Sequence, residues 1–238
     1  FAKTEEILDL CRILYNLCLE QRRNAWKYHK KSLFANSQML QLPVCSQQPQ
    51  PTCGKERWAP KTLADSHGPA VSRSLPRVAT IRELVGYQAP PKQLLRKANA
   101  TRFLEETAVY QVQALVIGYK READSDFHIV LADPENPKIT MIAEIPAGAC
   151  VPPEFKEVFD ALQASFAANF SKPTTAFHRL RVPVPAVFTG VGFFDFLHGQ
   201  TGVAPNGFEL HPVLSFSKRN ALLPTNVINN GLLRQVSH

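Results

Sequence analysis

The hydrophobic period of this chain changes twice between residues 108 and 216, and that double change limits its architecture more than any other feature. "AVYQVQALVIGYK" (108–120), "FHIVLAD" (127–133) and "ITMIAEIP" (139–146) read as strands, with "PENP" turning the chain between the second and third. "PPEFKEVFDALQASFAANFSKP" then sets Phe155, Val158, Phe159, Leu162, Phe166 and Phe170 at helical spacing. This helix is entered at Pro152-Pro153 and ended by Pro173. "HRLRVPVPAVFTGVGFFDF" resumes extended structure, and "GFELHPVLSF" supplies a last strand. Pro183 and Pro185 suit an edge or bulged strand, because proline donates no ladder hydrogen bond.

Three strands, a helix and two strands is the order of an OB-like, five-stranded, partly open β-barrel, with the helix between strands 3 and 4 plugging the open end. The expected class is therefore α+β, with the β-domain at 105–216 and an open α+β sandwich as the alternative. Residues 1–42 are expected to be helical. Thr4 caps a helix over 4–31 whose stripe of Ile7, Leu10, Cys11, Leu14, Leu17, Cys18 and Ala25 recurs at helical spacing. Residues 43–104 are rich in Pro, Gln, Ser and basic side chains with little periodic apolar content, which predicts a linker, with short helices over "IRELVGY" and "PKQLLRKANATRFLEE". Residues 217–238 read as a loose basic tail.

Charge follows the same division. The β-domain core at 108–216 carries a net charge of −4, while the segments 1–35, 36–107 and 217–238 carry +3, +5 and +3. A polyanion is thus an unsuitable ligand for the β-domain, because phosphate contacts dominate such affinities. Five cysteines (Cys11, Cys18, Cys45, Cys53, Cys150) form no even framework, so reduced thiols are expected, and no metal is assigned at Cys45 and Cys53. No apolar run approaches the ~18 residues of a bilayer span. "FAKTEEILDL" holds acids where a secretory leader would be basic. The expected location is cytoplasmic if Phe1 lies near the true start, and exported if a leader precedes it.

"LDLCRILYNLCLEQRRNAWKYHKKSL" resembles the N-terminal helix-turn-helix segment of OrfB/TnpB-type insertion-sequence transposases, through Arg12, Tyr15, Asn16, Glu20, Arg22 and Arg23. The resemblance covers about residues 4–42. It implies a DNA partner, held by the basic side of the helix: Arg12, Arg22, Arg23, Lys27, Lys30 and Lys31. The nuclease domain and four-cysteine zinc ribbon of those transposases have no counterpart in these 238 residues, so the segment is read as a remnant. "ADSDFHIVLAD", "MIAEIP" and "GVGFFDFLHGQTGVAPNGFELHPVL" resemble an uncharacterised bacterial family, often exported, over about 105–216.

Asp126 and His128 are two apart on one strand, and Glu209 and His211 repeat the arrangement on the last; each pair therefore shares a face. His198 lies in the glycine-rich loop between. Carboxylates and imidazoles from two strands suit a divalent ion such as zinc or manganese, which makes Asp126, His128, Glu209 and His211 candidate metal ligands. The competing reading makes them the wet face of an edge strand. "DSDFH" also echoes an acidic strand of the thermonucleases, although Arg179 and Arg181 lie in no matching motif. Phe193, Phe194 and Phe196 offer either a base-stacking platform or core packing. Asn206-Gly207 is expected to turn at positive φ. The expected function is a non-catalytic composite of a DNA-binding segment and a module of unknown ligand. A metal-dependent hydrolase and an exported ligand-binding or structural module are the alternatives.

Overall fold

The computed structural model describes residues 52–96 and 101–220, all within the second of the two units into which the chain divides, Pro49–His238. The expected helix over 4–31, its basic residues and most of the tail lie outside the described residues.

Six strands make one sheet: β1 (Arg77–Ala79), β2 (Val109–Arg121), β3 (Phe127–Ala132), β4 (Thr140–Ile145), β5 (His178–Phe194) and β6 (Phe208–Lys218). The last five are the strands expected from the alternation, and β1 is additional. β2 pairs antiparallel with β3, β3 with β4, β4 parallel with β6, and β6 antiparallel with β5. β5 returns to β2, so the hydrogen bonding closes a ring. With 13 residues, β2 is long enough to share one edge, taking β1 at Tyr110–Val112 and β3 from Leu115 onward. A register irregularity between Val116 and Gly118 interrupts its pairing with both β3 and β5. A Cβ at Gly118 would lie 2.5 Å from the Phe177 ring and 2.8 Å from the His178 carbonyl. Pro183 falls opposite this irregularity, where β5 has no registered partner between Arg179 and Val184.

The core fills the ring with alternate residues: Val112, Ala114 and Val116 of β2, Ile129 and Leu131 of β3, Met141, Ala143 and Ile145 of β4, and Leu210 and Val213 of β6. α1 to α4 are single turns in the N-terminal region (Trp58–Lys61, Gly68–Val71, Ile81–Leu84, Lys92–Leu95). α5 (Pro153–Phe170) lies between β4 and β5 and covers one end of the core. Phe159, Phe166 and Phe170 are buried, while Val158 is 54 % exposed, so the buried stripe is narrower than the spacing implied. Phe166 sits 5.2 Å from the Tyr119 ring, 5.5 Å from Phe216 and 6.0 Å from Phe127. Burying such a side chain contributes about 2–3 kcal/mol.

Two expectations are corrected. Residues 52–96 are not a linker: Leu63, Val71, Ile81, Leu84 and Leu95 are at most 5 % exposed and belong to the same core as the strands. Apolar residues are sparse there and some stay exposed, Leu75 at 91 %, but these five are buried and polar anchors do the rest. Arg57, 1 % exposed, donates to both oxygens of Glu106 (2.7 and 2.5 Å) and to the Phe194 carbonyl (2.9 Å). Its guanidinium stacks between the rings of Phe103 and Phe193, 4.8 and 4.6 Å away. Glu106 also accepts from the backbone N–H of Phe103 and of Phe194. Nor are all the cysteines reduced: Cys53 and Cys150 form a disulfide across 97 residues of sequence. The distance in sequence hid the pair, because nothing in the local pattern marks 53 as lying beside 150. "IRELVGY" does hold a helical turn, capped by Thr80 and Glu83 in a reciprocal box.

Candidate functional site

The polar site lies on the outer face of β3, β4 and β6, opposite the core. Alternation sends Phe127, Ile129 and Leu131 inward and leaves His128 facing out; Glu209 and His211 similarly bracket the inward Leu210. His128 faces Glu144 directly across the β3–β4 pairing. β4 runs beside β6 through Ile142↔Glu209 and Ala143↔Leu210, which brings Glu144 next to His211. Glu144, on the central strand, thus stands between two imidazoles. Its Oε1 lies 2.9 Å from His128 Nδ1, and its Oε2 lies 3.2 Å from His211 Nδ1.

Each histidine is held a second time. His128 Nε2 donates to the Thr201 carbonyl (2.9 Å). His211 Nδ1 donates to Glu209 Oε1 (3.1 Å), while its Nε2 faces Asp126 Oδ2 at 3.5 Å without making a hydrogen bond. Asp126 Oδ1 accepts from the Ala147 backbone N–H (2.9 Å). Beyond this row, Lys61 pairs with Asp195 at 3.2 Å and reaches over the Phe193 ring. Glu122 bridges Lys120 (2.8 Å) and His128 (3.5 Å).

This outward face is nonetheless dry. Asp126 and His128 are fully buried, His211 and Glu209 are 1 and 2 % exposed, and the loop 195–207 comes down on His128 through the Thr201 carbonyl. Gly202 makes that approach possible. At φ +80° its position would set a Cβ 2.2 Å from Val130, so a side chain there would lift the loop off β3. Above the row opens a cleft of about 560 Å³, walled by the segment 52–61, the β2–β3 loop and the loop after β5, with Glu144 at its floor.

Burial acts on every group here, and the partners decide the outcome. Burial pushes the Glu144 carboxyl up, but hydrogen bonds from His128 and His211 outweigh it and hold the group well below the usual carboxylate range. Burial lowers His211, but the carboxylates of Asp126, Glu144 and Glu209 around it raise it well above an ordinary histidine. His128 is raised in the same way by Glu144, against its burial. Glu209 is pushed up to about 7 by burial and then by the charges of Asp195 and Glu144. Asp126 rises to about 6 through burial, opposed by His211. Lys61 is raised too: burial lowers it, and Glu209, Asp195 and Glu144 together overcome that.

The structure thus gathers Asp126, His128, Glu209 and His211, which the sequence singled out, around Glu144, which it did not. A lone carboxylate inside the apolar strand "TMIAEIP" is the signal that could have found it. Lys61 and Asp195 carried no local signal, because one was assigned to a linker and the other to the end of a strand. His198 is at the cleft rim. Phe193 and Phe194 are fully buried, which removes two of the three aromatics from any exposed stacking platform. Gly199, Gly202 and Gly207 adopt positive φ. Asn206 instead uses its side chain, donating to the Leu84 and Tyr87 carbonyls and accepting from the Phe208 N–H. One ligand atom each from Glu122, His128 and Glu144, or from Asp126, Glu144 and His211, falls within 4.8 Å of the other two in its set. No helix among the described residues is long and apolar enough to cross a membrane.

No protein-family model matches the chain, and no curated protein matches it. Among solved structures, an OBody, AM3L09, bound to hen egg-white lysozyme is 13 % identical; the match covers 50 % of this chain and 87 % of that one, with a TM-score of 0.29. A "putative aspartyl-tRNA synthetase" from Leishmania major Friedlin is also 13 % identical, with a TM-score of 0.35. That match covers 65 % of this chain, which spans about a quarter of the synthetase's length (23 %). Likeness at this level transfers neither fold nor function.

Proposed function

We propose that residues 101–218, with the strap 52–96, form a non-catalytic OB-like binding module whose ligand sits in the cleft above Glu144. The order of the ring, with its helix between the third and fourth strands, agrees with that fold. OB-folds bind oligonucleotides and oligosaccharides on their second and third strands, between the loops joining strands 1–2 and 4–5. The counterparts here are β3, β4 and the loops 122–126 and 195–207. The observation that carries the proposal is that those loops supply Glu122, Asp124, Asp195, His198 and Thr201 to the cleft, with Glu144 of β4 beneath them.

Five carboxylates (Glu56, Glu122, Asp124, Glu144, Asp195) and three lysines (Lys55, Lys61, Lys120) line the cleft. An oligonucleotide would meet net repulsion there. An oligosaccharide fits better, with carboxylates and amides for its hydroxyls and Trp58 at the wall. A hydrolytic reading has less behind it: Arg179 and Arg181 are exposed on β5 and do not reach the cleft. A glycan array tests the proposal. The full chain should retain oligosaccharides, and Trp58→Ala should lose them. Binding of single-stranded oligothymidylate that Trp58→Ala abolishes would overturn the charge argument.

The disulfide bears on location, since such bonds persist in oxidising compartments. It favours the exported alternative. DNA binding by Arg12, Arg22, Arg23, Lys27, Lys30 and Lys31 rests on the transposase resemblance and is tested separately. Duplex binding by the full chain should weaken steeply with salt and disappear in Arg22→Glu/Arg23→Glu; the absence of salt-dependent binding would remove the DNA partner.

A further inference from the structure

We infer that Asp126, Glu144 and His211 form a binding site for one divalent transition-metal cation, zinc or manganese by its donor set. The inference does not depend on what fills the cleft. It starts from two atoms: Asp126 Oδ2 and His211 Nε2 are buried, make no hydrogen bond, and face each other at 3.5 Å. Buried polar atoms are nearly always satisfied, so an unpartnered pair aimed at one point calls for a partner. Two ligands each about 2.0–2.2 Å from a tetrahedral ion are themselves about 3.3–3.6 Å apart, which is the spacing seen.

The surroundings fit. The other nitrogen of His211 donates to the Glu209 carboxylate, fixing the ring and leaving Nε2 as the atom presented to the ion. Carboxylate–histidine–metal relays use this arrangement. Asp126 is held likewise by the Ala147 N–H through its other oxygen. Glu144 completes three donors within 4.8 Å of one another. One imidazole and two carboxylates suit zinc or manganese; calcium would want six to eight oxygens. Charge agrees as well. Asp124, Asp126, Glu144, Asp195 and Glu209 crowd the site, against Lys61 and a His128 held between Glu144 and the Thr201 carbonyl.

The second possible trio, Glu122, His128 and Glu144, is rejected on the same criterion. His128 Nδ1 already meets Glu144 at 2.9 Å, and its Nε2 is spent on Thr201. No atom of His128 is left unpartnered. His128 is a positioning residue that holds Glu144.

The test uses the full chain, stripped with a chelator, dialysed and titrated with Zn(II) and separately with Mn(II) by calorimetry, with metal content counted by mass spectrometry. Both ions are tried because the donor set does not separate them. One ion per chain is expected, with affinity reduced about 100-fold or more in Asp126→Asn and about 10-fold in Glu209→Gln, the range known for ligand-supporting groups. Asp126→Asn keeps the shape and the bond from Ala147, and circular dichroism checks its fold. If it does not fold, Glu209→Gln carries the test. No uptake of either ion by the folded wild type overturns the inference, as does uptake that both variants leave unchanged. Uptake abolished by His128→Gln but untouched in Asp126→Asn would move the site to the rejected trio and overturn it too.

Discussion

Glu106→Ala should unfold much of the advantage that the strap gives the sheet. Glu106 is fully buried and accepts four hydrogen bonds: two from the Arg57 guanidinium and one each from the N–H groups of Phe103 and Phe194. Truncation removes both acceptor oxygens and with them all four bonds, but leaves the guanidinium where it is, 1 % exposed and wedged between two phenylalanine rings. An ion pair this deep contributes little net stability as a pair, because desolvation cancels most of the attraction. Breaking it from one side is a different matter and costs about 3–5 kcal/mol. For a domain of this size that is roughly 10 °C in melting temperature, at about 2–4 °C per kcal/mol. The double variant Arg57→Met/Glu106→Leu removes the stranded charge and should recover at least half of the loss. Thermal and urea unfolding of the three proteins measures both effects. A loss below about 1 kcal/mol in Glu106→Ala would refute the claim that 52–61 is built into the fold, and so would a double variant no better than the single one.

Three further outcomes are expected. Reducing the Cys53–Cys150 bond, or replacing both residues with serine, should lower stability by about 3–4 kcal/mol, since the bond closes a loop of 97 residues; equal melting curves with and without reductant would contradict this. Gly207→Ala should cost more than about 2 kcal/mol in urea unfolding, because φ is +73° and a Cβ would meet the Asp195 carbonyl at 2.3 Å. The third concerns pH. With chelator present, Glu209 titrates near 7 in the folded chain and near 4.5 when unfolded, so the folded state holds this proton more tightly. Stability from it is complete below about pH 4.5 and lost as pH rises to 7. His211 and His128, also raised, add a loss of the same sign above 6.5. Glu144, lowered, acts oppositely but below its ordinary range. The melting temperature should therefore fall between pH 5 and 8, with a contribution from Glu209 of at most about 3 kcal/mol. Glu209→Gln should flatten the fall, and an unchanged profile in that variant would show that Glu209 does not carry it.

The strands and the helix were legible because each is a run of one apolar character, alternating or helical over most of its length, bounded by turn residues or prolines. "FHIVLAD" and "ITMIAEIP" lie within a residue of the observed β3 and β4, and the helix from Pro153 to Phe170 agrees with its proline boundaries. The strap was not legible. Its five buried apolar residues are scattered over more than thirty positions at no period, and its main noncovalent attachment is Arg57, a residue type that signals solvent when read alone. The pairs at 126/128 and 209/211 emerged from strand geometry. Their burial did not, because alternation tells which residues share a face and says nothing of what covers it.

That covering gives the site its character. Had the outer face of β3, β4 and β6 been open, His128, Glu144 and His211 would be hydrated side chains of ordinary acidity on the solvent side of a sheet. The loop 195–207, pressed onto Val130 at Gly202, and the strap tied down by Arg57 and Cys53 turn the same residues into a dry row in which each charge depends on its neighbour. The row is anchored at both ends, through Thr201 at His128 and Ala147 at Asp126, and is left with an unpartnered pair at one point. A purely structural network gains nothing from that gap, since one shifted rotamer or one apolar substitution would close it. A site for an ion requires it, which is why the gap between Asp126 and His211 bears on function more than the histidines that first drew attention to the strand.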